Sequence, residues 1–180
     1  MGQLSFTTAE VEALLDGRYN SFRQDIADST HTVGSPQAIS AATEYLVTID
    51  AVTRNVVTAP AYITDRWDAT NNKIAVGDEL DAPVYVADLS MTFDPTVAAA
   101  GLATVRLYID DSGTQTFATD PVIRTYTIDY KAAPEGINIL ATWYLGSEAG
   151  YDAKNDGVYF TFEAEAAGEL YDKGAVIYRT

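Results

Sequence analysis

The sequence predicts an all-β chain, a jelly-roll β-sandwich preceded by a short N-terminal helix and an extended arm. Three observations carry this expectation. From residue 43 onward, apolar and polar residues alternate in run after run. A period of two is what a half-buried strand requires, because successive side chains leave opposite faces of the backbone. Turn residues punctuate these runs, giving about eight to ten short strands against a single helix. No internal repeat is present, which sets aside solenoids and propellers. Eight or so strands with long antiparallel pairs suit two sheets that bury their alternating faces against each other.

The helix comes first. Thr7 is placed as its N-cap with Glu10 three residues on, a T-x-x-E capping box, and Phe6 and Val11 form the hydrophobic staple around it. Val11, Leu14 and Leu15 make an apolar stripe, and Gly17 supplies the stop. A helix of two to three turns is not stable alone in water, so the stripe (Phe6, Val11, Leu14, Leu15) needs a surface to dock on. That surface is either its own domain or another subunit or particle. Residues 18–41 carry Ser, Thr, Gly and Pro without a period and read as a linker or extended arm, with the turn at Gly34-Ser35-Pro36. The chain is thus divided into a docking segment, 1–41, and a jelly-roll domain, 42–180.

Within the domain, Tyr45, Val47, Ile49 and Ala51 share a face, followed by Val57 to Ile63, where Pro60 marks an edge or a break. Ala69-Thr70-Asn71-Asn72 is a turn, because Asn tolerates positive φ, and a short strand begins at Lys73. Two long runs follow. Tyr85, Ala87, Leu89, Met91 and Phe93 point inward in the first, and Ala103, Val105, Leu107 and Ile109 in the second. Joined by small residues, these two runs are expected to pair antiparallel. Asp110-Asp111-Ser112-Gly113 is a tight reversal, with Gln115–Ala118 as a brief return strand. Val122, Tyr126, Ile128 and Tyr130 face one way. The remaining inward faces are Ile137 to Leu145, Val158 to Phe162, and a last strand AVIYRT.

Composition bounds the chemistry. The formal net charge is −15, from Lys+Arg 11 against Asp+Glu 26, so phosphate backbones and anionic lipid would repel the chain and neither nucleic acid nor membrane is an expected partner. There is no cysteine, which removes disulfides, thiolate metal sites and cysteine nucleophiles. No basic n-region with an apolar h-region opens the chain, and no apolar run is long enough to span a bilayer. His31, alone in a polar arm, is expected to be solvated. The acidic clusters Asp110-Asp111, Asp78/Glu79/Asp81 and Glu163/Glu165 show no base–nucleophile pairing, and Asp152-x-x-Asn155-Asp156-Gly157 fits a turn better than a calcium loop. No catalytic residue, cofactor or metal is assigned, and the protein is not expected to be an enzyme.

The aromatics say more than the charges. There are 12 Tyr and 6 Phe, and Tyr108, Tyr144, Tyr159 and Tyr178 fall opposite the apolar faces of their strands. Three readings stay open: the ordinary strand preference of Tyr, packing against a neighbouring subunit, and sugar stacking on exposed Tyr or Trp67. On the second, the subunit interface is Arg106, Tyr108, Tyr144, Tyr159 and Tyr178, with Arg106 and Tyr108 opposite Asp88 and Ser90.

WDATNNKIAV, VYVADLSMTF, ATVRLYID, DGVYFTF and AVIYRT, in that order, resemble the tumour-necrosis-factor-like jelly roll. Trp67, Asn72, Lys73, Ile74, Tyr85, Phe93, Gly157, Val158 and Tyr159 match its outline. The opening LSFTTAEVEALLD is similar to the helical leader of bacteriophage virion proteins such as head fibres. Residues 18–57 align with neither. Together the resemblances imply a homotrimeric phage structural protein of the capsid-decoration or head-fibre type. Its partners would be other virion proteins (capsid, portal or tail) and its place the virion, after assembly in the host cytoplasm. The alternatives are a jelly roll of a tail fibre that binds host surface glycans, and a neck or tail adaptor.

Overall fold

The computed structural model describes residues 22–58, 65–75, 84–144 and 153–179, with 51–58 and 153–154 as backbone only. The expected leader helix, with Phe6, Val11, Leu14 and Leu15, lies outside these residues. Twelve strands are described: β1 (Phe22–Asp28), β2 (Gln37–Ile39), β3 (Tyr45–Leu46), β4 (Ala51–Thr58), β5 (Trp67–Asp68), β6 (Lys73–Ile74), β7 (Val84–Pro95), β8 (Gly101–Ile109), β9 (Val122–Tyr130), β10 (Glu135–Tyr144), β11 (Val158–Ala164) and β12 (Gly168–Arg179). One turn of helix, α1 (Ala153–Asp156), precedes β11. Gly157 ends it at φ +81°, where an added Cβ would come within 2.9 Å of the Ile74 carbonyl oxygen. Only glycine fits such a position without strain.

The strands form two antiparallel sheets packed as a jelly-roll sandwich. Sheet A runs β10-β7-β12-β1-β4, with β2 continuing beside β12, and sheet B runs β5-β6-β11-β8-β9, with β3 beside β11. From β6 onward the chain passes between the sheets at almost every connection; β8 to β9 is the hairpin exception. The inward faces are those expected from the alternation. Tyr85, Ala87, Leu89, Met91 and Phe93 of sheet A meet Ala103, Val105, Leu107, Ile109, Val158, Phe160 and Phe162 of sheet B in one buried cluster. The Phe93 ring lies 5.2 Å from Phe162 across the sandwich and edge-on to Tyr130 at 5.0 Å. Aromatic pairs at such angles contribute roughly 0.5–1.5 kcal/mol beyond their buried area.

The two long runs, expected to pair, do not. β7 bonds to β10 and β12, and β8 bonds to β11 and β9, so the runs lie in opposite sheets. The link between them crosses the sandwich and is pinned where Thr96 N and Oγ1 both donate to the Ala167 carbonyl, each at 3.0 Å. Five extended residues reach roughly 16–18 Å, enough to cross the roughly 10 Å between packed sheets. Arg106 and Tyr108 therefore never share a face with Asp88 and Ser90.

The arm expected across residues 18–41 is in part a sheet strand. β1 sits between β12 and β4, and β2 extends the same row. Its inward positions are Phe22, Gln24 and Ile26, and the polar Gln24 hid the period. That side chain is fully buried, accepts from Arg66 N at 2.7 Å and donates to Asp65 Oδ1. Where β1 gives way to β2, β12 carries a bulge between Tyr171 and Gly174, with Asp172 at φ +50°. The bulge reverses which side chains face the core: Leu170 points inward before it, Ala175 and Ile177 after it. The expected return strand at Gln115–Ala118 is a turn instead.

Candidate functional site: the outer faces of the two sheets

Sheet A leaves an apolar stripe open on its outer face. Cross-strand register puts Tyr144 beside Val84, Thr142 beside Val86 and Leu140 beside Asp88. Val86 and Asp88 in turn neighbour Tyr178 and Val176 of β12. Leu140 is 63% exposed, Tyr144 44% and Val84 39%, while Val86, Val176 and Tyr178 are half-buried. The charges on this face lie mostly at the margins of the stripe. Arg23 lies over the Tyr178 ring at 5.8 Å and is bonded to Asp25 at 2.9 Å, Asp88 sits between Leu140 and Val176, and Asp94 and Glu169 pair farther along β7 and β12. Within the stripe itself Asp88 is the one charged position, on a chain of net charge −15.

Sheet B treats its outward aromatics differently. Tyr108 and Tyr159 sit opposite each other on β8 and β11, and their rings stack at 5.2 Å and 6°. Phe117, from the loop after β8, closes over both at 6.1 Å. Tyr159 is fully buried and Tyr108 nearly so. Two buried carboxylates shape the covering loop. Asp120 accepts from Ser112 N, Thr116 N and the Tyr159 hydroxyl at 2.8–2.9 Å. Asp110 accepts from Gln115 N at 2.8 Å and from Lys73 Nζ at 2.6 Å, and Lys73 also donates to the Asp156 carbonyl at 2.9 Å. Gly113 takes φ +68° to close the reversal expected at 110–113.

Glu44 completes the cover. It accepts from the Tyr108 hydroxyl at 2.9 Å and from Thr161 Oγ1, and lies 3.2 Å from Arg106, which also holds Glu163 at 2.8 Å. Burial, reinforced by the bond to Glu44, pushes the Tyr108 hydroxyl up to about 12. Burial and the bond to Asp120 raise Tyr159 well above the ordinary tyrosine range. In both cases ionisation would place a phenolate in a low-dielectric site beside a carboxylate.

The five residues expected at a subunit interface are thus divided. Tyr144 and Tyr178 lie on the open stripe of sheet A. Arg106, Tyr108 and Tyr159 lie on sheet B, where the chain supplies its own cover. Trp67 is 4% exposed and donates its indole N–H to the Ile49 carbonyl at 3.2 Å, so it offers no sugar platform. His31, expected in solvent, is largely buried and bonds Asp28 Oδ2 through Nδ1 at 2.7 Å. Leu140 and Val84, singly unremarkable in sequence, emerge only when register sets Val84 beside Tyr144 and brings Leu140 onto the same face as Val176 and Tyr178. Among the described residues no helix is long and apolar enough to cross a membrane.

No family model matches the sequence, and no curated protein does. Among solved structures, murine APRIL is similar over 89% of this chain and 99% of its own, with 8% identity and a TM-score of 0.51. The PRD1 vertex protein P5 aligns over 90% of this chain and 96% of its own, with 14% identity and a TM-score of 0.44. A Bacillus endospore appendage protein, of a family of disulfide-linked pili, aligns over 99% and 98% with 11% identity and a TM-score of 0.40. The last two scores are too low to argue from. The likeness to APRIL fits the jelly-roll sandwich and speaks to fold alone.

Proposed function

We propose that the protein is a bacteriophage virion structural protein, of the capsid-decoration or head-fibre type, that docks through its N-terminal segment and assembles as a homotrimer through the outer face of sheet A. One observation carries the assembly: the charge-poor stripe of Val84, Leu140, Tyr144, Val176 and Tyr178 on an otherwise strongly acidic chain. Interface cores are depleted in charge and enriched in aromatics, as these five residues are. The occupant is a second copy of the chain. A foreign partner would have to be apolar too, whereas copies of one chain supply the same stripe to each other. The phage setting rests on the resemblance of residues 3–16 to virion leaders.

Light scattering on the purified chain is the test, with a trimer expected; a clean monomer or a dodecamer overturns the assembly. Deleting residues 1–17 is expected to leave a folded trimer that no longer attaches to particles, and retained attachment removes the leader as the dock. The receptor-binding alternative has a candidate place in a groove of about 330 Å³ on sheet B, lined by Leu102, Thr104, Thr127, Glu163 and Glu165. Its hydroxyls and carboxylates are groups that bond sugars. Selective glycan-array binding lost in Thr104→Ala would favour that reading.

A further inference from the structure

The seam beside the β12 bulge holds a buried cluster that neither outer face uses. Lys173 points inward there, its side chain fully buried, and so does the side chain of Asp28. Lys173 Nζ contacts Gln37 Oε1 at 2.6 Å, Thr48 Oγ1 at 3.3 Å and Asp28 Oδ2 at 3.4 Å. Thr48 Oγ1 donates to the same Gln37 oxygen at 3.1 Å, and the Gln37 Nε2 group donates away, to the Leu46 carbonyl, at 2.8 Å. His31 Nδ1 meets Asp28 Oδ2 at 2.7 Å from the side that is 17% exposed. A fully buried amine and carboxylate are thus held against a half-buried carboxamide, its carbonyl turned to that amine, with β2 paired on β12.

We propose that Lys173 and Gln37 condense without an external enzyme into an intramolecular isopeptide bond, with Asp28 as the proton-transfer group. The Nζ lone pair attacks Gln37 Cδ, and negative charge develops on Oε1, where the Thr48 hydroxyl already donates. Asp28 takes a proton from Nζ, and once Cδ is tetrahedral Nε2 turns from the Leu46 carbonyl to receive that proton. The Cδ–Nε2 bond breaks, one ammonia leaves and one amide replaces another, so no oxidant or cofactor is needed. His31 connects Asp28 to the solvent side, a route for proton exchange. The attacking amine must be neutral. Burial lowers Lys173 to about 8, against the pull of Asp28 and the more distant Asp50, so a useful neutral fraction exists near neutral pH. Held geometry supplies the rest, since proximity alone can give a large part of such a barrier.

The test is the intact mass of the denatured full-length chain, followed by peptide mapping. The expected mass is one ammonia below that calculated from the sequence, with a branched peptide joining residue 37 to residue 173. Asp28→Asn is expected to slow formation about 10²-fold or more, the usual share of a positioned acid–base group. Lys173→Arg should remain at full mass. A folded wild-type chain still at its calculated mass after long incubation at pH 9 overturns the proposal. So does an ammonia loss mapped elsewhere, or a hydroxylamine-labile link, which would identify a Thr48 ester instead.

Discussion

The outer faces of the two sheets start from the same sequence pattern and end in opposite states. On β8 and β11, Tyr108 and Tyr159 alternate with core residues as Tyr144 and Tyr178 do on β10 and β12. On sheet B the loop 110–121 and Glu44 close over the tyrosines and satisfy their hydroxyls. On sheet A the stripe is left open, with Leu140 at 63% exposure. An outward tyrosine therefore does not by itself announce an interface. What separates the cases is whether a nearby loop closes over the rings, as Phe117 does over Tyr108 and Tyr159.

The sharpest way to break the sheet B cover is at its ion pair. Lys73→Met leaves Asp110, whose side chain is 1% exposed, without its cation, and is expected to cost about 3–5 kcal/mol in urea unfolding. A loss below about 1 kcal/mol would mean that the loop does not depend on Asp110. On sheet A the comparison predicts the reverse signature. Leu140→Glu should leave the monomer's stability within about 0.5 kcal/mol, as an exposed substitution does, yet weaken self-association by about 2 kcal/mol or more. Sedimentation of the variant as an intact trimer would place the contact elsewhere. Tyr159→Phe, which takes one hydrogen bond from a buried carboxylate, is expected to cost about 1–3 kcal/mol.

The same contrast has a pH signature. A tyrosine whose hydroxyl is raised on folding holds its proton when the unfolded chain has begun to lose it. Its stabilising contribution is thus complete below about 10 and declines as pH rises toward the folded value, about 12 for Tyr108 and higher for Tyr159. Stability should fall over that window in the wild type, and less steeply in Tyr108→Phe/Tyr159→Phe. A tyrosinate titration in which all 12 tyrosines ionise together near 10 in the folded chain would contradict the buried stack.

The buried faces were legible from the sequence because alternation reports burial directly, as Tyr85 to Phe93 and Ala103 to Ile109 show. Partnership was not. Alternation says which face is dry but not which strand lies alongside, so β7 and β8 looked like partners while belonging to opposite sheets. β1 was invisible because Gln24 occupies a core position and is satisfied by Asp65 and Arg66, more than forty residues away. The cover over Tyr108 likewise draws on Glu44, at a separation of 64 residues. The Lys173 cluster joins residues from 28 to 173, and the bulge that turns Lys173 inward leaves no local trace beyond an ordinary Tyr-Asp-Lys-Gly.

The position of β12 sets the order in which the molecule can be made. Residues 168–179 lie between β7 and β1, and β2 depends on them as well. As the chain leaves the ribosome, β7 can pair with β10 and β1 with β4, but among the described residues no strand pairing joins the two halves of sheet A until β12 emerges, and only side chains such as Phe22, Arg66 and Tyr85 touch across the gap. Until then both halves present unpaired strand edges where β12 belongs, the condition in which nascent chains associate wrongly. Closure is one late event that bridges distant parts of the chain, a topology that folds slowly. A stalled or clipped chain that lacks residues 168–179 would therefore form an aggregation-prone pair of half-sheets and not a slightly weaker sandwich.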